Sequence, residues 1–152
     1  MKKLAGGAAI LALGILVIAA TAVATTGSGA SATTLARGLA VEKVKTRGNE
    51  PYDVVVQQIT IVPGGHTGWH THPGNGIVIV KAGTLTIYDA DDRSCAPRTY
   101  NAGDTYIDPG EGHAHIGRNE GTIPLEIVAT YIDVAPGGPV RIDASDPGNC
   151  GF

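Results

Sequence analysis

The sequence predicts a single all-β domain, a small sandwich or barrel, and three observations carry that expectation. Runs such as VVVQQITIV (54–62), IVIVK (77–81), TLTIYD (84–89), DTYID (104–108) and PLEIVATYIDV (124–134) are rich in β-branched and aromatic residues, which suit a pleated, half-buried surface. Glycine and proline interrupt the chain at intervals of roughly eight to twelve residues, the spacing of short strands joined by turns. After residue 40 no stretch carries the helical period of apolar residues.

Each element has a local reason. The run 54–62 reaches Pro63-Gly64-Gly65, a turn signal. Ala82-Gly83 lies between two short apolar runs and reads as a tight hairpin. Ala90 to Arg98 is a polar loop, and the acidic residues Asp89, Asp91 and Asp92 beside it lack the spacing of a calcium loop. The run 104–108 ends at Pro109-Gly110, and HAHIG (113–117) follows. In 124–134, Leu125, Ile127, Ala129 and Tyr131 share one face. Twenty-two glycines in 152 residues, about twice the usual share, fit many tight turns.

The first third of the chain is read differently. Lys2 and Lys3 precede an apolar run from Leu4 to Ala20, and no charge follows until Arg37. A basic start, an apolar core and then small residues make an export signal over 1–32, with small-x-small sites at Ala22-Val23-Ala24 and Ala30-Ser31-Ala32. The alternative is an uncleaved anchor over residues 4–24. Residues 33–50 then form a linker and lead-in, 51–135 the barrel and 136–152 a Gly/Pro-rich tail. The protein is expected to be secreted or to sit outside the cytoplasmic membrane, touching it only through an uncleaved N-terminal segment. Loss of Lys2 and Lys3 takes the net charge from −3 to −5; such a chain is a poor partner for nucleic acid or anionic membranes. In an exported chain the two cysteines, Cys95 and Cys150, suggest a disulfide tying the tail to the barrel.

The chemistry is concentrated in two windows. All five histidines fall in GGHTGWHTHPGNG (64–76) and PGEGHAHIGRN (109–119). His70 and His72 are two apart, as are His113 and His115, so in extended segments each pair aims two imidazoles to one side. Neutral imidazole suits zinc, copper, iron and nickel. No GxSxG elbow, P-loop or dinucleotide-binding glycine pattern is present.

These windows resemble the two motifs of the cupins. Gly64, five residues, His70-Thr71-His72 and Gly83 match the first motif. Gly103, five residues, Pro109, then Gly112, two residues, His115, three residues and Asn119 match the second, with one extra residue before Gly112. The resemblance implies a small one-domain cupin: a double-stranded β-helix, or jelly-roll, barrel. It implies His70, His72 and His115 as ligands of a divalent transition metal (iron, copper, nickel, manganese or zinc). The glutamate that normally follows the second histidine of motif one is absent; Gly76 and Ile77 stand there. Candidates to complete the site are His113, expected on the same face as His115, His66, expected to swing inward, and Glu111. Asn119 is expected to serve the turn after motif two, and Trp69 to pack on the opposite face from the histidines.

Two functions follow. One is an exported metal-dependent dioxygenase acting on a small organic molecule, since cupins with three-histidine sites include such enzymes. The alternative is a non-catalytic module binding a sugar or other small ligand. The resemblance also implies pairing into homodimers through strand edges.

Overall fold

The computed structural model describes residues 24–40 and 51–152. Its strands are β1 (Ser28–Ala40), β2 (Tyr52–His66), β3 (His70–Thr71), β4 (Gly76–Ala82), β5 (Thr84–Asp89), β6 (Arg98–Asn101), β7 (Thr105–Asp108), β8 (His115–Arg118), β9 (Leu125–Val134) and β10 (Ile142–Asp143). No helix occurs among the described residues. The strands pair antiparallel in two layers, β1-β2-β9-β4-β7 and β6-β5-β8-β3-β10. β2 links them: Asp53 to Ile61 pair with β9, and beyond the glycines His66 stands opposite Arg118 of β8. The result is a nearly closed antiparallel barrel of the double-stranded β-helix type.

Alternation along the strands builds the core. Gly76, Val78 and Val80 of β4 face in, while Ile77 and Ile79 face out. Leu125, Ile127, Ala129 and Tyr131 all point inward from β9, none more than 5% exposed. With Val55, Ile61, Leu85, Ile87, Tyr106 and Val134 they fill the barrel. Each fully buried aliphatic side chain contributes about 1.5–3 kcal/mol.

Three local expectations need correction. Pro63-Gly64-Gly65 does not end its strand: β2 bends there and runs to His66, as Gly64 N–H donates to Asn119 O and Asn119 N–H to Gly65 O. Ala82-Gly83 is not a hairpin. β4 pairs with β7 and β9 while β5 pairs with β6 and β8, so the chain crosses between layers here. Gly83 takes a positive φ of 78°, and a Cβ there would sit 2.9 Å from Pro124 O; only glycine fits the corner.

The third correction concerns the N-terminal boundary. Ser28–Ala40, read partly as signal and partly as linker, is strand β1, paired with β2 along its length. The domain begins earlier still. Thr25 N–H donates to Ala144 O, and Thr25 Oγ1 accepts from Trp69 N–H at 2.7 Å. A break after Ala24 leaves β1 whole, whereas one after Ala32 would remove its first five residues. The apolar run from Leu4 to Ala20 lies outside the described residues. Among the described residues no helix is long and apolar enough to cross a membrane.

The tail is tied down as expected. Cys95 and Cys150 form a disulfide with Cα atoms 5.4 Å apart. The bridge packs against Trp69, Tyr88 and Ile116, a second apolar cluster. Asn149 reinforces it by donating from Nδ2 to Asp92 O at 2.6 Å and to Asp89 O at 3.1 Å. β10, within the tail, adds a rung to β3.

Candidate metal centre

His70 opens the two-residue strand β3, and His115 opens β8, directly opposite His70 in the ladder. His72 falls one residue past the end of β3, still on the inward side. All three are buried, at 5%, 5% and 3% exposure. Their candidate ligand atoms lie within 4.8 Å of one another. The ring centroids are 4.5 to 5.5 Å apart, in tilted and edge-on arrangements.

Hydrogen bonds fix which nitrogen is free in two of the rings, His70 and His72. His70 Nδ1 sits 2.8 Å from Gly68 O, and His72 Nδ1 sits on Val140 O. A carbonyl can only accept, so both Nδ1 atoms carry the proton and both Nε2 atoms present a lone pair. Tyr131 stacks on His72 with centroids 4.6 Å apart, which holds the ring's plane. Burial first, then the neighbouring imidazoles of His115 and His72, pushes His70 down to about 2. Burial likewise lowers His72, and brings His115 down to about 4 although Asp108 pulls it upward. The three rings are therefore neutral near pH 7, the state a ligand needs.

The residues present fit a metal ion. Three buried imidazoles clustered within 4.8 Å are a poor fit to an apolar core and a good one to zinc, copper, iron or nickel. The centre also leaves polar atoms unpartnered: His115 Nδ1 and Asp108 Oδ2 are buried without a hydrogen bond.

The additional candidates part company. Gly110, Glu111 and Gly112 all have positive φ (63°, 53° and 90°), so the extra residue forms a tight left-handed turn before β8. His113 lies in that turn rather than in the strand. Its Nδ1 is 3.8 Å from Asp108 Oδ1 and its Nε2 3.4 Å from Asp89 Oδ1. With Asp108 and His115 it makes a second candidate group, but it is not part of the three-histidine group. Glu111 is exposed and belongs to neither group. His66 does not swing inward: its Nδ1 accepts from Gly68 N–H at 3.1 Å, and its ring lines a separate cavity with Arg118, Trp69 and Phe152. Trp69 is packing and 2% exposed. Asn119 serves its turn, donating to Ile61 O and Ile123 O and accepting from Gly121 N–H.

Sequence reasoning missed Asp108, Tyr131 and Tyr106. Asp108 is 1% exposed, with Oδ2 3.5 Å from His72 Nε2. Alternation in DTYID puts Asp108 on the same face as Tyr106, a signal that a carboxylate points into the core. Burial, then the charge of Asp108, raises the hydroxyls of Tyr106 and Tyr131, so both stay protonated.

Two spaces meet at the histidines. An outer cavity of about 360 Å³ opens over His70 and His72, edged by residues 30–32 of β1, Ile59, Val140 and Arg141. A small inner chamber of about 40 Å³ lies behind, walled by His115, Asp108, Tyr106 and Tyr131.

The cupin-domain family model matches residues 57–131, which include both histidine windows. The chain belongs to the cupin superfamily. A cupin-like protein from Thermotoga maritima superposes with a TM-score of 0.58 at 21% identity, over 79% of this chain and 80% of its own. Peruvianin-I, a cysteine peptidase from Thevetia peruviana latex, gives 0.55 at 19%, over 77% and 68%. An oxalate oxidase shares 27% identity over 51% of this chain, which spans 40% of that protein's length, with a TM-score of 0.45. Among curated proteins none matches.

Proposed function

We propose that this cupin holds a divalent transition-metal ion on His70, His72 and His115 and acts outside the cytoplasm as a dioxygenase-type oxidoreductase on a small organic molecule. The observation that carries the reading is the pinning of His70 and His72 through Nδ1, which leaves the Nε2 lone pairs aimed into one buried space. A bound iron, copper, nickel or manganese ion supplies a redox and Lewis-acid centre there. The chain's own residues do the rest. The outer cavity has the volume of a small-molecule site. Ile59, Val140 and Tyr131 offer it apolar walls, and Arg141 and Gln57 offer polar anchors. The disulfide supports the extracytoplasmic reading, since such bridges persist in oxidising compartments.

The polar share of the outer cavity, with Thr26, Ser31, Gln57, Arg141 and Asp143 on its rim, favours one second reading. It is a non-catalytic module binding a sugar or similar hydroxylated ligand.

Elemental analysis of the protein purified without added metal or a histidine tag tests the proposal. Near-stoichiometric iron, copper, nickel or manganese, lost in His70→Ala and His115→Ala, together with oxygen consumption on a screen of small organic substrates, is the expected result. Metal content unchanged in both variants would sink the three-histidine site. Stoichiometric metal without turnover would move the assignment to the binding module.

A further inference from the structure

The centre lacks the carboxylate of motif one, yet the inner chamber behind it is lined by one, Asp108, which also groups with His113 and His115. Gly76 of β4 lies directly opposite Asp108 in the β4–β7 ladder. A Cβ built on Gly76 would stand 3.3 Å from Asp108 Cβ. The position vacated on β4 is thus filled from the neighbouring strand.

The environment of Asp108 is that of a group awaiting a cation. It is 1% exposed. Oδ1 accepts from Gly110 N–H at 3.0 Å, which orients the carboxyl, while Oδ2 is buried without a hydrogen bond. Its ion-pair-range neighbours among the described residues are imidazoles: His72 Nε2 at 3.5 Å from Oδ2, and His113 Nδ1 and His115 Nδ1 at 3.8 and 3.9 Å from Oδ1. A buried carboxylate without a cation is costly. The 3.5 Å separation also has a meaning of its own, because His72 Nε2 is the nitrogen left free for a metal. Two ligand atoms each about 2.1 Å from one ion at a tetrahedral angle are about 3.4 Å apart.

We propose that Asp108 Oδ2 is the fourth protein ligand of the centre, a carboxylate transposed from β4 to β7. The assignment rests on the three-histidine reading and deepens it. It makes the donor set three neutral imidazoles and one carboxylate. His113, which faces Asp89, Asp91 and Asp108, is left beside the centre rather than in it.

Cobalt(II) titration of the metal-stripped protein, followed by its visible absorption, tests the ligand directly and needs no substrate. The wild type should bind one equivalent. Asp108→Ala should bind at least tenfold more weakly, with an altered ligand-field spectrum, and added formate should restore both by occupying the gap. Asp108→Asn, which keeps an acceptor for Gly110 N–H, should show the same weakening and gives the answer if the alanine variant does not fold. Affinity and spectrum unchanged in the variants would overturn the assignment. So would weakened binding with a wild-type spectrum that formate does not repair, which would make Asp108 a positioning residue for His72. A wild type that binds no cobalt, or His115→Ala that binds as well as wild type, would instead bring down the three-histidine reading itself.

Discussion

The ring of Tyr131 lies against the imidazole of His72, with centroids 4.6 Å apart and planes 29° from parallel. Tyr131 is the last inward residue of the alternating set on β9, so the best-packed strand of the barrel sets the orientation of a candidate ligand. Truncation should therefore be felt twice. Tyr131→Ala should cost about 3 kcal/mol or more of stability, as for other buried aromatics. It should also weaken metal binding about tenfold or more by freeing the His72 ring. Tyr131→Phe keeps the stack and should leave metal affinity near wild type. Urea unfolding and a competitive metal titration on the two variants would separate these effects.

Metal should stabilise the fold. An ion that binds only the native state adds about 2.7 kcal/mol at a free concentration of a hundred times its Kd. For a domain of this size that corresponds to a melting temperature raised by about 10 °C. Scanning calorimetry with and without metal should show the rise in wild type and none in His115→Ala.

The disulfide closes a sequence separation of 55 residues, worth about 4 kcal/mol in the chain-entropy account. Because it packs on Trp69, its loss should reach the histidine window. Cys95→Ser with Cys150→Ser should lower the urea midpoint and speed amide exchange in the tail and at Trp69. Tail exchange as slow as in wild type would show that β10 and Asn149 hold it unaided.

Arg37 of β1 donates to Asp53 and to Gly138 O, and Gly137 N–H donates to the same carboxylate. The Gly137 amide foremost, and the Arg37 guanidinium next, hold the Asp53 carboxyl below its ordinary value of 3.8. Its folded pKa is thus below the unfolded one. The stabilisation is complete above the unfolded value and is lost as pH falls through the folded one. Asp53→Asn should be less stable than wild type at pH 7, and the gap should narrow towards pH 3. A gap independent of pH would assign the effect to packing rather than charge.

The sequence shows much of this barrel because most strands bury one face. Leu125, Ile127, Ala129 and Tyr131 announce β9 by alternation, and the paired histidines announce the centre by spacing. β1 gives no such signal. It is an edge strand exposed on both faces, so nothing in its burial imposes a period of two. Gly83 does mark a sharp turn, but a turn's chemistry does not say which strands pair beyond it. His113 escapes strand logic because the left-handed turn through Glu111 resets the alternation just before β8. Alternation points Asp108 inward, yet its part in the centre is not legible for another reason. Its role depends on what stands across the ladder, and Gly76 is 32 positions away in the chain.

That cross-strand relation makes the two positions a coupled pair. With 3.3 Å between their Cβ positions, a side chain at 76 and the carboxylate at 108 compete for one volume. Gly76→Glu alone crowds the pocket, and Asp108→Gly alone empties it. Together they would carry the carboxylate back to β4, and their combined effect would not be the sum of the separate ones. A lineage moving between the two arrangements would have to pass through a weaker binder, a barrier that would tend to keep each version of the site where it is.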